Sequence, residues 1–308
     1  MDRFAALNTF ILVAHTGGFS AAARELGLAT SSVARLIDAL EEKIGAPLLN
    51  RSTRKVTLTE AGRAYYEKAV KILSDLEEAD NTAAARSSEP AGLLRISAPV
   101  TFTNLHIAPL LPELTRLYPR LEFDMRLSDA TVNLVDESID VAIRIGAMEQ
   151  QANLIARKLS MHERYICASP TYLAQHGRPV LPEDLMKHNC LQFAYAAGRQ
   201  IWHLQSGARM EEVQVSGNLS VNNSETLRQA ALRSMGIALL PDWLVHADIQ
   251  AGNLIRLMEK YQVNPGAMDI GIYAVYQLNR RGSSKIKAFT DALSIALLDA
   301  QSSRNKHK

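Results

Sequence analysis

Basic and hydroxyl-bearing residues within the first sixty positions suggest the clearest chemistry in this sequence. Arg51, Arg54 and Lys55 lie in a stretch between Lys43 and Thr59 that contains no acidic residue. Such a concentration of positive charge suits the phosphates of a nucleic acid. The whole chain of 308 residues has a net charge of only +2, so attraction to nucleic acid must come from this local cluster.

The elements around that cluster form a helix-turn-helix. Apolar residues at helical spacing predict a first helix from Phe4, and Ser20 is expected to cap a second helix that ends at Gly27. Thr30 or Ser31 is expected to cap a third helix that runs to about Ile44. The third helix then lies in the major groove of DNA. The DNA-contacting residues predicted on these helices are Ser20, Thr30, Ser31, Ser32 and Arg35, and Arg35 is the candidate for contact with a base edge.

A short β-hairpin follows the third helix. Residues 48–58 alternate in the manner of two strands around a polar turn, which predicts the wing of a winged helix. Arg51, Arg54 and Lys55 fall on this wing and are predicted to contact phosphates. Residues 1–58 are therefore predicted to be a mainly α-helical winged helix-turn-helix domain.

Residues 59–89 are predicted to be a long linker helix, capped by Thr59 and followed by a hinge. Apolar residues separated by three and four positions form one seam along this helix. Tyr65, Ile72 and Leu76 lie on the seam and are predicted to contact a second copy of the chain, which makes a dimer.

Residues 90–300 show short apolar strands alternating with helices, which predicts an α/β domain of two lobes with parallel sheets. Residues 301–308 are predicted to be a polar, basic tail. Strands are predicted at 93–97, 121–127, 141–145, 165–168, 191–193, 213–221 and 237–240. Helices are predicted at 103–118, near Asn133 and at 225–234. Ligands of such sheets bind at the carboxyl ends of the strands, which here are the junctions at 97–103 and 222–225.

The N-terminal motifs resemble those of the LysR-type transcriptional regulators. The matching residues are Phe19-Ser20-Ala21-Ala22-Ala23, Leu40-Glu41, Gly45, Pro47-Leu48-Leu49, Arg51 and Leu58-Thr59-Glu60-Ala61-Gly62. Ala34 departs from the pattern, because many members have a serine there on the recognition helix. The resemblance continues in Leu94–Pro99, Asp140–Gly146, Ala168-Ser169-Pro170 and Gly236–Pro241, so it covers essentially the whole chain.

The resemblance implies that the two lobes resemble periplasmic binding proteins and hold a small-molecule effector between them. It implies effector contacts by Pro99, Val100, Thr101, Arg144, Gly146, Asn223 and Ser224, to which we add Phe193 as a residue at a strand end. Structural roles are alternatives for four of these. Thr101 can cap a helix, Arg144 can pair with Asp129 or Asp140, Gly146 can make a turn, and Phe193 can belong to the core.

The resemblance also predicts the partners. These are double-stranded promoter DNA, a carboxylate or aromatic effector, RNA polymerase, and further copies of the chain in a dimer and then a tetramer. The protein is expected to act in the cytoplasm, without a membrane and without a cofactor or metal.

An enzyme, a redox-responsive regulator and a solute-binding module are the alternatives to this prediction. No catalytic, phosphate-binding or dinucleotide-binding motif occurs in the sequence, which argues against an enzyme. A redox-responsive regulator is an alternative, because Cys167 and Cys190 both lie in one predicted lobe, although Cys167 is expected to be buried and inert. A solute-binding module is the third possibility, but it would lack residues 1–58.

Overall fold

The computed structural model describes residues 2–51, 56–83, 89–130, 134, 139–148, 153–194, 200–266 and 268–305, with backbone only at 51, 74–75, 77–83 and 304–305. It divides into two compact units, residues 1–88 and 89–308. Arg54, Lys55, the helix predicted near Asn133 and residues 86–88 of the hinge, whose predicted range is 86–92, lie outside the described residues.

The first unit consists of helices and one hairpin. Its elements are α1 (Arg3–Thr16), α2 (Phe19–Leu26), α3 (Thr30–Ile44), β1 (Leu49–Arg51), β2 (Val56–Leu58) and α4 (Glu60–Ala83). Gly17, Gly27 and Gly45 end the three short helices in the left-handed conformation, which costs glycine no steric strain. The predicted order of three helices, wing and long helix is confirmed.

The predicted helix caps are wrong at two of three places. Gly18 precedes α2 and Ala29 precedes α3, and neither helix has a side-chain cap. Ser20 is the second residue of α2, and Thr30 is the first residue of α3, so both fall inside the helix. Thr59 does cap α4, because its Oγ1 accepts from the Gly62 N–H at 2.8 Å.

Tyr65, which is predicted to lie in the dimer seam, packs partly on the core of its own unit. The rings of Phe10 and Tyr65 lie 5.8 Å apart, and Ala69, one turn further along α4, is buried. The seam turns outward beyond that point, since Ile72 is 47% exposed and Leu76 is 37% exposed. These two residues therefore remain available for a partner.

The second unit contains strands and helices in alternation. Its helices are α5 (Val100–Phe102), α6 (Leu111–Leu117), α7 (Pro170–His176), α8 (Ser224–Leu232), α9 (Asp242–Gln250) and α10 (Ser284–Asn305). Its strands are β3 (Gly92–Ala98), β4 (Leu121–Leu127), β5 (Val141–Gly146), β6 (Leu154–Met161), β7 (Arg164–Ala168), β8 (Cys190–Phe193), β9 (Gln200–Ser206), β10 (Arg209–Val215), β11 (Ser220–Val221), β12 (Ile237–Pro241), β13 (Ile255–Leu257), β14 (Gln262–Asn264) and β15 (Gly271–Gln277). Because α10 runs to Asn305, the boundary predicted at residue 300 lies inside a helix.

Two five-stranded sheets define two lobes, which confirms the two-lobed α/β fold. Lobe I has the strand order β4-β3-β5-β15-β6, and lobe II has the order β11-β8-β12-β7-β13. Three adjacent strands in each sheet are parallel, as predicted, whereas β15, β6, β7 and β13 pair antiparallel. Three of these antiparallel strands border the chain crossings between the lobes, because β6 leads into β7 at the first crossing and β15 follows the second.

Two predicted elements are wrong in detail. Residues 213–221 form parts of β10 and β11 rather than one strand, since β10 pairs with β9 and β11 joins the lobe II sheet. The helix predicted at 103–118 begins at Val100 and contains a π-helical turn and a 3₁₀ turn before α6. Pro109 and Pro112 lie within it and lack the N–H that a regular helix requires.

One apolar core spans both lobes. It includes Ile96, Ile143 and Phe289 from lobe I and Leu191 and Leu240 from lobe II. Among the described helices, none is long and apolar enough to cross a bilayer.

Candidate DNA interface and ligand cavity

Helix α3 has one face in the core and one face open to solvent. Val33, Ile37 and Leu40 are buried, whereas Thr30, Ser31 and Arg35 are exposed and Ser32 is half-buried. Ser20 is exposed on α2. The side chains predicted to contact DNA from the two helices are therefore accessible, although their contact with DNA stays a prediction.

The wing is attached to the helices at its base. Leu49 pairs with Leu58 and Arg51 pairs with Val56 in an antiparallel hairpin. The Val56 N–H also donates to the Gly17 carbonyl at 3.1 Å. These bonds fix the base of the hairpin on the end of α1.

A cavity of about 950 Å³ lies between the lobes, where the parallel strands of both sheets end. Its walls come from the segments after β3, β4 and β5 in lobe I and after β8, β11 and β12 in lobe II. The lining residues are Pro99, Thr101, Phe102, Ser128, Asp129, Ala130, Ile143, Arg144, Ile145, Gly146, Ala147, Arg164, Phe193, Ala194, Gln200, Ile201, His203, Asn222, Ser224, Pro241, Trp243, Asn264, Pro265 and Gly266.

Most of the residues predicted for the effector line this cavity. The predicted residues that do so are Pro99, Thr101, Arg144, Gly146, Phe193 and Ser224. Gly146 has a φ of 137°, a conformation that a side chain would strain. Phe193 also packs against the core, so both of its proposed roles fit its position.

Val100 and Asn223 do not belong to the cavity lining, which corrects their predicted placement. The Val100 N–H donates to Asp129 Oδ1 at 3.2 Å. Asn223 Nδ2 donates to Asp129 Oδ2 at 2.8 Å and lies 3.5 Å from Thr101 Oγ1. Its Oδ1 accepts from the Thr226 N–H at 3.0 Å, so Asn223 caps α8 and joins it to lobe I.

The polar walls of the cavity hold more basic than acidic groups. Arg144 comes from β5 in lobe I, and Arg164 and His203 come from lobe II. Asp129 is the carboxylate among the lining residues. Sequence reasoning missed Arg164 and His203, because they lie on antiparallel strands that no strand-helix junction marks.

Asp140 is the second predicted ion-pair partner of Arg144. It is buried, its Oδ1 lies 3.6 Å from Arg280 and its Oδ2 lies 3.9 Å from Lys285. Asp140 Oδ2 also accepts from the Arg95 N–H at 2.9 Å. These contacts within lobe I indicate a structural role for Asp140.

Aromatic rings form the apolar part of the cavity. Trp243 from lobe II meets Phe102 from lobe I edge to face, with ring centroids 5.4 Å apart. Trp243 is 9% exposed, and its Nε1 has no hydrogen-bond partner among the described residues. A buried donor without a partner is costly, so this N–H destabilises the wall formed by the two rings.

The two cysteines do not form a redox pair in this fold. Burial raises the pKa of each thiol to about 12. Cys167 and Cys190 lie on β7 and β8, with β12 between them, and they belong to cores on opposite faces of the sheet. Two strand spacings separate their backbones by roughly 9.5 Å, beyond the reach of a disulfide at about 7 Å.

Comparisons with known proteins agree with both halves of the structure. Residues 4–63 match the model of the bacterial regulatory helix-turn-helix protein, lysR family. Residues 87–297 match the LysR substrate binding domain.

Similar whole proteins are regulators. The chain is 36% identical to the HTH-type transcriptional regulator DmlR of Escherichia coli K12, over 93% of this chain and 92% of that protein. It is 35% identical to the HTH-type transcriptional activator TtdR of the same strain, over 93% and 91%.

A solved structure is similar along its whole length. CrgA, a LysR-type transcriptional regulator from Neisseria meningitidis, aligns with a TM-score of 0.60 at 32% identity, covering 95% of this chain and 98% of that one. The predictions of a DNA-binding regulator and of a protein without enzymatic function are confirmed. The chain belongs to the LysR family of DNA-binding transcriptional regulators, with an N-terminal helix-turn-helix and a C-terminal two-lobed effector domain.

Proposed function

We propose that this regulator responds to a small anionic effector with an apolar part, bound in the cavity between the lobes. The observation that supports this proposal is the presence of Arg144 from lobe I and Arg164 from lobe II on the walls of one cavity. A carboxylate that contacts both cations favours one arrangement of the lobes over others. A ligand shifts a conformational equilibrium only through such a difference in affinity.

The size and lining of the cavity support an effector of the same class. A volume of about 950 Å³ lies within the usual range for small-molecule sites. Phe102, Phe193 and Trp243 supply an apolar wall, and Thr101 and Ser224 supply hydroxyl groups that can orient a carboxylate. A carboxylate joined to an aromatic or aliphatic group can bind the polar groups of the cavity with its charge and pack its apolar part on the aromatic wall.

The proposed regulator acts as a dimer through α4 and assembles further into a tetramer. Paired winged helices bind two half-sites of promoter DNA in the cytoplasm. Effector binding changes the arrangement of the pair and its contact with RNA polymerase. No cofactor or metal takes part in this scheme.

The test is a thermal-shift and calorimetric screen of acids against matched neutral amides, for example benzoate against benzamide and succinate against succinamide. Only the acids are expected to bind, and Arg144→Gln is expected to abolish their binding. Arg116→Gln is the matched control, because Arg116 is exposed and pairs with the neighbouring Glu113 on the surface of the second unit. Equal binding of acids and amides would reject an anionic effector.

A further inference from the structure

The turn between α3 and the wing is held from two sides by side chains of different helices. On one side, Glu41 on α3 accepts from the backbone N–H groups of Leu48 and Leu49, at 2.6 and 3.0 Å. One Oε1 atom receives both bonds. Bonds to a charged acceptor are about twice as strong as neutral ones.

On the other side, the start of α4 holds the carbonyl groups of the same turn. Thr59 Oγ1 donates to the Pro47 carbonyl at 2.8 Å, and the Thr59 N–H donates to the Leu48 carbonyl at 3.0 Å. Gly62 lies so close that a Cβ added there would stand 1.9 Å from the Leu48 oxygen. Helix α3 therefore binds the N–H groups of the segment Pro47–Leu49, and the start of α4 binds its carbonyl groups.

The contacts from α3 and α4 connect the three parts of the unit that have different predicted roles, namely the recognition helix, the wing and the linker helix. Helix α3 carries Arg35 and the other residues predicted to contact bases, β1 begins at Leu49 and leads into the wing, and α4 leads toward the effector domain in the sequence. The side chains of Leu48 and Leu49 are buried, so this segment is also anchored in the core.

We propose that Glu41 is a positioning residue for DNA binding, which fixes the wing relative to the recognition helix through the backbone of Leu48 and Leu49. The contacts of Glu41 and Thr59 make the segment Pro47–Leu49 rigid. The direction of α4 then sets the orientation of α3 and the wing together. The proposal rests on the predicted phosphate contacts of the wing. Glu41 itself is not required to touch DNA.

Charge gives this proposal a sharp test. Removing a carboxylate from a DNA-binding face should strengthen binding to phosphates, because it removes repulsion. Loss of the Glu41 contacts should weaken binding by releasing the wing. Glu41→Ala is therefore expected to weaken binding about tenfold, whereas Glu41→Gln keeps an acceptor oxygen and is expected to bind at least as tightly as wild type. Glu42→Ala is the matched control, because Glu42 is the exposed neighbour on α3.

The experiment uses the full chain and a short duplex that the wild-type protein has selected from a random pool. Affinity is measured over a salt series, and thermal unfolding and amide exchange at Leu48 and Leu49 are followed for each variant. Glu41→Ala is expected to lower the salt slope by about one to two phosphate contacts and to speed exchange at both amides. Gly62→Ala is expected to do the same from the side of α4.

Mere destabilisation would reduce the active fraction without changing the salt slope. A Glu41→Ala variant with an unchanged slope, or with affinity equal to that of Glu42→Ala, would overturn the proposal, as would a Glu41→Gln variant as weak as Glu41→Ala. Arg51→Ala in the same series tests the wing contact by itself. If that variant kept the wild-type slope, the wing contact would be refuted and the positioning role with it.

Discussion

The side-chain amide of Asn223 in lobe II donates to the carboxylate of Asp129 in lobe I at 2.8 Å. The same side chain caps α8 through its oxygen. One residue thus completes a helix in one lobe and bonds to the other lobe at the edge of the cavity. The amide therefore makes a direct hydrogen bond between the lobes.

Asn223→Asp is expected to open the lobes while keeping the cap. Aspartate caps helices as well as asparagine does, but it places a second carboxylate against Asp129, and like charges repel. Small-angle scattering of the effector domain should show a larger radius, and the amide of Val100 should exchange faster. Asn253→Asp, at an exposed position in lobe II, is the control. Unchanged scattering in both variants would contradict a role for this bond in closure.

Thr101→Val is expected to weaken effector binding by about fivefold to tenfold, the value of one hydrogen bond. Valine keeps the shape of threonine and removes the hydroxyl at a buried position of the cavity wall. DNA affinity without effector should be unchanged, since Thr101 lies in the effector domain. Calorimetry and gel shifts measure the two quantities. An equal loss in both would show that Thr101 has only a structural role.

Arg35→Ala is expected to reduce specific DNA binding by about 1–3 kcal/mol and to relax the preference at one base position. Its exposed place on α3 suits contact with a base edge. Binding to unrelated DNA should fall much less. Selection from a random pool followed by sequencing reveals the change in preference. Lys43→Ala, at the exposed end of the same helix, controls for loss of charge, and identical effects of the two variants would argue against base contact.

Ile72→Glu and Leu76→Glu are expected to convert a dimer to monomers, because each places a charge on the exposed part of the α4 seam. Tyr65→Ala should instead lower the melting temperature of the first unit, since its ring packs on Phe10. Sedimentation velocity measures the assembly. Lys68→Ala, at an exposed position between them, is the control. Persistent dimers in both glutamate variants would place the interface elsewhere.

The native protein is expected to resist alkylation of Cys167 and Cys190. Burial raises the pKa of both thiols to about 12, so only about one in ten thousand is a thiolate at pH 8. The reactive fraction grows as the pH rises toward the pKa, and reaction at neutral pH requires unfolding. Iodoacetamide labelling followed by mass spectrometry checks this in buffer and in denaturant. Rapid labelling of either cysteine in the native state would restore a redox-responsive role.

The sequence predicts the elements that have a local signal and misses those that depend on distant pairing. Helices α1 to α4 and the wing follow from helical periodicity and from Gly17, Gly27 and Gly45. Strand β15 was not predicted, although Ile272, Tyr273 and Val275 are residue types typical of strands, and its place between β5 and β6 completes lobe I. Pairing with residues more than a hundred positions earlier is invisible to a local pattern.

The same contrast applies to the cavity. Thr101 and Ser224 lie where a strand passes into a helix, and sequence analysis marks such junctions as ligand sites. The packing of lobe II also brings Arg164, His203 and Trp243 to the cavity. No sequence motif predicts this position. The packing of Tyr65 on its own unit was not predicted for a related reason, because an apolar seam does not reveal whether it packs on the same chain or on a second one.

The place of β15 in lobe I has a consequence for how the protein is made. Lobe II is contained between β6 and β15 in the sequence, so the ribosome completes it before it supplies the strand that lobe I needs. At about 5–20 residues per second, β6 and its neighbours wait on the order of ten seconds for that strand. During that interval β5 has an unpaired edge and β6 has no neighbouring strand in the sheet, and unpaired strand edges are prone to aggregation.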